Sequence, residues 1–430
     1  MTPAARVAAA IEILGETVEK RRPAPDALKD WGLAHRFAGA KDRSAIAGLV
    51  YDALRRRASS AWIMGGDSQR AIVIGALKLA RNLSIDEIAG LFSGEGHGPP
   101  QLTPEERARL NDASLEGAPS HVRGDYPEWL SAVFAESFGE RAAAEGEAMA
   151  RRAPLDLRVN TLKGDRAKAM AAVAHLSPRE TPYSPVGLRI EASGESRMPA
   201  LAAEPAYIKG LVEIQDEGSQ LAAILASPGR GAQALDLCAG GGGKTLALSA
   251  LMENQGQIYA TDSDGRRLAP IFDRLKRAGV RNVQVRAPRG AEDLLADLVG
   301  RCDVVLVDAP CTGSGAWRRN PDAKWRIRPG ALQQRIRDQT EVMERASQYV
   351  KKGGRLVYVT CSLFKPENED RVAEFLAASA DFLPVEAGHI ARSMGVPALA
   401  EHVSTLGPGL RLSPLQTYTD GFYIASLARL

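Results

Sequence analysis

The sequence predicts an α/β protein: a doubly wound parallel sheet in the C-terminal half, preceded by a small α+β module and an all-helical segment. Three observations carry that reading. From Gly231 onward, short apolar runs (ALDLC, QIYATD, VQVRA, DVVLVDAP, RLVYVTC) alternate with helical stretches, the order that builds a parallel sheet. Between Tyr126 and Leu225 strand and helix patterns are mixed. Before Leu91 apolar residues recur every three or four positions, with no strand-like alternation. The 430 residues divide accordingly into 1–95 (helical), 96–125 (linker), 126–225 (α+β) and 226–430 (sheet domain).

Taken in order, RVAAAIEIL, AIAGLVYDALRRR and AIVIGALKLARNL each place their apolar residues on one helix face. SGEGHGPPQLTPEERARLNDASLEGAP is dense in Gly, Pro and charge and reads as a linker with one short helix at PEERARL. PEWLSAVFAESFG, RAAAEGEAMARR and DRAKAMAAVAHL read as helices, and LDLRVNTL, GLRIEA and IKGLVEIQ as strands. In the last segment KTLALSALMEN, DGRRLAPIFDRLKRAG and GALQQRIRDQTEVMERASQYVKKG are the helices between strands.

Composition narrows the function classes. With 45% hydrophobic and 25% charged residues the chain is ordinary and globular. The net charge of +3 is too small to imply a nucleic-acid partner, so any basic face must be local. Four cysteines, at 238, 302, 311 and 361, exclude a disulfide scaffold, and none has CxxC spacing. The six histidines form no metal-ligand pattern, so no metal is expected. Glu12 interrupts the first apolar run too early for a signal peptide, and no run is long enough to span a bilayer. A soluble cytoplasmic protein is the expectation, with monomer as the default state.

ALDLCAGGGGKT reads as a strand, four glycines (Gly240 to Gly243) and a helix start, a place where backbone N–H groups face a ligand. A Walker A loop would need glycine where Cys238 stands. A GxGxxG fingerprint starting at Gly240 fails at Thr245. S-adenosylmethionine sites use a looser glycine turn and an acid at the end of the second strand, where Asp262 lies; the alternative is a turn that only packs.

Asp308 and Cys311 follow one buried strand, and Cys361 follows another. A parallel sheet brings such strand ends to one edge, so two thiols and a carboxylate can converge there. A thiolate facing a base can attack C6 of a pyrimidine, after which C5 accepts a methyl group. Elimination then needs a base for the C5 proton, and a carboxyl at N3 stabilises the ring charge. Cys302 lacks polar neighbours in sequence and reads as core filler.

LCAGGGGKT, DAPCTGSG, RRNPDAKW and VYVTCSLFKPENED closely resemble the motifs of the NOL/Sun family of RNA 5-methylcytosine methyltransferases. QDEGSQ, LRVNTLK and DGFYIASL add to the likeness, which covers about residues 126–430. AKDRSAIAGLVYDALRRR is similar to the NusB-like RNA-binding domain of the Sun (RsmB) branch, which acts on small-subunit ribosomal RNA. The resemblance implies a Rossmann-like sheet that binds S-adenosylmethionine. It makes Cys361 the nucleophile, Cys311 the thiol that assists release, and Asp308 a contact of base and cofactor. Cys238, Ala239, Gly240, Gly241, Gly242, Gly243 and Lys244 would wrap the methionine part, and Asp262 the ribose. Two departures stand out: Gly241 replaces a frequent proline, and the usual acid after the third strand is missing from VQVRAPRGAED. Asp293, or apolar and backbone contacts, would then serve the adenine.

WRRNPDAKWRIR is the local basic segment. Arg318, Arg319 and Lys324 are candidate phosphate contacts, with Trp317 and Trp325 either beside an extruded base or anchored in the core. Arg158 and Asn160 in LRVNTLK are further RNA-contact candidates. Two rivals remain. A DNA cytosine methyltransferase would use Cys311 as nucleophile and leave Cys361 unexplained. A non-catalytic ribosome-assembly factor would keep the fold only to bind RNA.

Overall fold

The computed structural model describes residues 1–191, 201–288 and 294–430. Asp293 therefore lies outside the described residues. The chain forms two units. Of the described residues, one unit holds 1–152 together with 316–329, and the other holds 153–191, 201–288, 294–315 and 330–430. This division differs from the four consecutive segments expected. The basic segment after Gly315 belongs with the N-terminal unit, not with the sheet that flanks it in sequence.

In the second unit, β1 (Leu155–Val159), β2 (Arg179–Glu180), β3 (Gly187–Ile190) and β4 (Val212–Ile214) form an antiparallel sheet in the order β2-β3-β1-β4. Asp156 and Arg189 face each other in the β1–β3 register. Their buried ion pair, 2.7 Å, is shared with Glu217. Glu217 also takes the N–H groups of Tyr183 and Ser184. The QDEGSQ stretch thus ties this small sheet to the helix Glu217–Ala226.

The large sheet contains β5 (Gln233–Asp236), β6 (Gln257–Ala260), β7 (Val283–Val285), β8 (Cys302–Asp308), β9 (Val350–Thr360), β10 (Phe382–Pro384) and β12 (Phe422–Arg429). Their order is β10-β12-β9-β8-β5-β6-β7, with β11 (Leu410–Leu412) paired to β12. Pairs from β9 to β7 are parallel, and those involving β12 are antiparallel. The chain leaves β5 toward β6 on one side and returns to β8 on the other, so a switch point lies at the carboxyl ends of β5 and β8. Apolar residues fill both faces, with Leu306, Val357 and Ile424 against one helix layer and Val305, Leu356 and Tyr358 against the other.

The α/β expectation holds for every parallel strand, and two local readings change. DGRRLAPIFDRLKRAG is two helices, Gly265–Leu268 and Ile271–Ala278, separated at Pro270, which cannot donate within a helix. The long helix stops at Ser347, and β9 starts at Val350 because that residue pairs with Cys302. Among the described residues, no helix is long and apolar enough to cross a membrane.

In the first unit the helices Pro3–Val18, Ala24–Ala34, Ala40–Arg55, Arg57–Met64, Gln69–Leu79 and Ile85–Leu91 enclose one core that includes Ile13, Ile46, Val50, Leu54 and Ile72. The expected linker is not free. Its helix Pro104–Asn111 starts at a Thr103/Glu106 capping box, and Leu102 and Leu110 join the same core.

Candidate active site

The glycine turn is shaped by backbone demands. Gly240 and Gly242 have φ of 49° and 80°, the left-handed region that disfavours side chains. A Cβ on Gly242 would also meet Ile271 Cγ1 at 2.4 Å. Gly240 N–H donates to Asp262 Oδ2 (2.9 Å), and Asp264 N–H donates to Asp262 Oδ1 (3.0 Å). Arg274 braces the turn from the other side. It donates to the Gly241 carbonyl at 2.6 Å and to Glu213 at 3.2 Å. This contact restrains the position at which the resemblance leads one to expect proline.

Beside the turn lies a cavity of about 350 Å³ lined by Gln215, Asp216, Cys238, Ala239, Gly240, Gly241, Gly243, Lys244, Arg267, Arg274 and Asp308, among others. The residues fit the expected cofactor: a concave cradle of glycines at a helix start, in a space that side chains would fill. Asp262 does not itself line the cavity. Both its oxygens are engaged by backbone N–H groups, so it acts first as the pin of the turn.

At the ends of β5 and β8, Lys244 and Asp308 meet at 2.6 Å. Burial opposes the charge on Lys244, but Asp308, then Cys361 and Asp236, outweigh it and raise the lysine pKa above its ordinary value. Behind them Asp236 is buried and accepts from Thr245 at 2.7 Å. Burial pushes its pKa up to about 7, against the pull of Thr245.

The turns after β8 and β9 bring Cys311 Sγ and Cys361 Sγ to 3.4 Å, with both residues half-buried. The Cys361 thiol, burial and the Glu367 charge together push the Cys311 pKa well up. Cys311 therefore resists losing its proton, and the two thiols lie in hydrogen-bond contact. The turns are fixed by close backbone approach: Gly315 N–H donates to the Cys361 carbonyl, and Gly421 N–H to the Gly315 carbonyl, both at 2.9 Å. A Cβ on Gly315 would meet the Gly421 carbonyl oxygen at 2.2 Å. This is why DAPCTGSG and DGFYIASL both need glycine there.

The structure thus brings together Cys311 with Cys361, and Lys244 with Asp308 beside the glycine turn. Cys302 is buried in the core, as expected, and burial pushes its thiol up to about 12. Cys238 contributes to the cavity wall; burial raises its pKa too.

Four expected RNA contacts are corrected. Arg158 is 3% exposed and donates to Gln215 Oε1 at 2.6 Å; burial lowers its pKa to about 10. Asn160 donates to the carbonyls of Gly210 and Ala278 and accepts from Leu162 N–H, so it pins loops. Arg318 and Lys324 are each 1% exposed, and Lys324 Nζ donates to the Arg55 carbonyl at 3.0 Å. Trp317 is buried against Phe134, and Trp325 donates to the Leu54 carbonyl. These side chains are spent on folding. Arg319, half-buried, is the member of the predicted set that keeps access to solvent.

Sequence reasoning missed Gln215, Arg274 and Glu367. The first and last lie in motifs quoted above, QDEGSQ and KPENED, and Arg274 lies on the amphipathic helix Ile271–Ala278, which packs beside the turn.

Comparison with known proteins follows the same lines. The family described as 16S rRNA methyltransferase RsmB/F matches residues 223–428, and the ferredoxin-like domain of RsmF/B-like methyltransferases matches residues 126–196. A probable ribosomal RNA small subunit methyltransferase B from Synechocystis is 31% identical over 312 residues, covering 71% of this chain and 67% of the relative. The ribosomal RNA small subunit methyltransferase B of Citrobacter koseri is 32% identical, covering 75% and 71%. Among solved structures, a methyltransferase homolog from Pyrococcus horikoshii superposes with a TM-score of 0.60 at 27% identity, over 74% of this chain and 100% of that one. With the two thiols, the glycine cradle and these likenesses together, the chain belongs to the RsmB/F family of 16S rRNA methyltransferases.

Proposed function

We propose that the protein methylates C5 of a cytosine in small-subunit ribosomal RNA through a covalent bond between Cys361 and C6 of the base. The methyl donor is S-adenosylmethionine, held by the 238–244 turn with Asp262 behind it. Bound there, its sulfonium supplies the electrophilic methyl group that C5 takes. The observation that carries the reading is the 3.4 Å pair of Cys311 and Cys361 at the edge where Asp308 meets Lys244.

The residues divide the work. Cys361 Sγ forms the bond to C6, which makes C5 nucleophilic. Asp308 faces the base, and the Lys244 ammonium holds that carboxylate in place and offsets charge on the ring. Once Cys361 is bonded to carbon, the hydrogen bond between the two thiols, the largest cause of the raised Cys311 pKa, is lost. Cys311 can then release its proton to solvent, and the resulting thiolate takes the C5 proton as the S–C6 bond breaks. The methylated base leaves and Cys361 is regenerated as a thiolate.

The helical N-terminal unit serves RNA affinity in this reading, Arg319 touches phosphate, and the protein acts as a cytoplasmic monomer. A DNA cytosine enzyme would need only Cys311; the 3.4 Å contact of Cys361 with Cys311 supports the reading in which both thiols act.

Two variants test the assignment. Cys361→Ala should abolish methyl transfer to a small-subunit rRNA transcript while cofactor binding persists; retained activity overturns the role. Cys311→Ala should accumulate a protein–RNA adduct, seen as a slow band on a denaturing gel, because the step that releases the product is lost.

A further inference from the structure

The two sulfurs lie on separate turns, one after β8 and one after β9, and something must hold those turns in register. Each cysteine is followed by a hydroxyl residue, Thr312 and Ser362. Both hydroxyls point to the same buried carboxylate. Glu367 is fully buried; its Oε2 accepts from Thr312 Oγ1 and from Ser362 Oγ, each at 2.5 Å. Its Oε1 accepts from Thr312 N–H at 2.8 Å and from Gln339 Nε2 at 3.0 Å. Gln339 Nε2 also donates to the Pro310 carbonyl at 2.9 Å, on the other side of Cys311.

The next residue repeats the pattern around Cys361. Asn368 accepts from Thr360 Oγ1 at 2.6 Å and donates to the Ser362 carbonyl at 2.9 Å. Each cysteine is therefore held on both flanks by the pair Glu367–Asn368 and by Gln339.

From this arrangement we propose that Glu367 is the positioning residue of the thiol pair: its carboxylate clamps the two turns so that Cys311 and Cys361 stay in contact. The inference rests on the two-thiol reading of the site, which gives that contact its purpose. A carboxylate suits the task because two oxygens can take four donors at once. An amide of the same shape would turn an N–H₂ toward donors and break half the clamp. Burial raises the Glu367 pKa, and the donors from Ser362, Thr312 and Gln339 oppose that rise. Glu367 touches no reacting atom; its effect passes through Thr312 and Ser362.

The test uses the full-length protein and has a readout that needs no RNA. Diamide, reduced to its hydrazine by the two electrons and two protons released, converts two adjacent thiols to a disulfide. In the native protein Cys311 and Cys361 should link rapidly, followed by mass spectrometry of the joined peptides. In Glu367→Gln the linking rate should fall at least tenfold, whereas an unchanged rate overturns the proposal. Buried Cys302 reports folding: if it becomes reactive in Glu367→Gln, Glu367→Asp is read by the same two outcomes.

The second arm is kinetic. Glu367→Gln should lower kcat at least tenfold on a small-subunit rRNA transcript, with KM for RNA and for S-adenosylmethionine within twofold. A change confined to KM, or none, overturns the positioning role. Activity retained by Cys361→Ala would overturn the assignment of nucleophile and leave the diamide result standing, so the two failures are distinguishable.

Discussion

Lys244 and Lys324 are both buried lysines, 8% and 1% exposed, and each lies in a segment that the sequence marks for chemistry. Their surroundings differ. Lys244 has a carboxylate 2.6 Å away, and the pair sits on a cavity wall. Lys324 donates to a backbone carbonyl; the charge of Asp125 helps it, but Arg55 and Arg56 repel it. Burial is the larger force there and lowers the Lys324 pKa to about 7, whereas that of Lys244 rises. A direct anionic partner opposes the cost of burying a lysine's charge: with one, the Lys244 pKa is raised at the cavity, and without one, the Lys324 pKa falls in the helical core.

The largest effect expected from this contrast is on turnover. Lys244→Met should lower kcat by about 10²–10³, the usual cost of removing one positioned donor. Lys324→Met should leave kcat per folded molecule within twofold. Comparable losses in both variants would erase the distinction. Arg318 comes next. Its guanidinium is 1% exposed in the N-terminal unit, so Arg318→Ala should destabilise by about 3 kcal/mol in urea unfolding, through lost packing and orphaned partners. If it instead weakened RNA binding with stability intact, the side chain would be facing RNA after all.

Lys324 also gives a pH signature. In the unfolded chain it stays protonated to about pH 10. In the folded protein it releases the proton near pH 7. Between those values the unfolded state binds more protons, so this residue makes stability rise with pH, and its full penalty applies below pH 7. Lys324→Met removes the penalty. The variant should be more stable than the parent by about 2 kcal/mol at pH 6, with the gap closing by pH 10. A constant difference across that range would show that the lysine is not titrating there.

The same contrast explains what could be read from sequence. Gly240 and Gly242, Cys311 and Cys361 were legible because turns and strand ends impose local rules on residue type. The parallel strands were legible because each is a short apolar run between helical stretches, most of them buried, with the edge strand β7 the exception. β10, β11 and β12 were not, since antiparallel edge pairing is set by distant partners. The basic segment misled for a similar reason. WRRNPDAKWRIR has the composition of a nucleic-acid contact, but Arg318 and Lys324 face inward, and facing depends on tertiary packing. Glu367 escaped notice because an acid in a loop is ordinary until two other loops converge on it.

Arg319 carries what remains of the surface reading, and its expected effect is the smallest. It is half-buried, between buried Arg318 and exposed Asn320. One phosphate contact is worth little alone, and its signature is its salt dependence. Arg319→Ala should weaken binding of an rRNA transcript about threefold at moderate salt and reduce the slope of log affinity against log salt by about one. Stability should stay within about 0.5 kcal/mol, as for a surface substitution. A loss of stability with an unchanged slope would place Arg319 with Arg318 and Lys324 as a side chain spent on folding. An altered slope with stability intact would leave Arg319 as an RNA contact, in a segment whose Arg318 and Lys324 face inward.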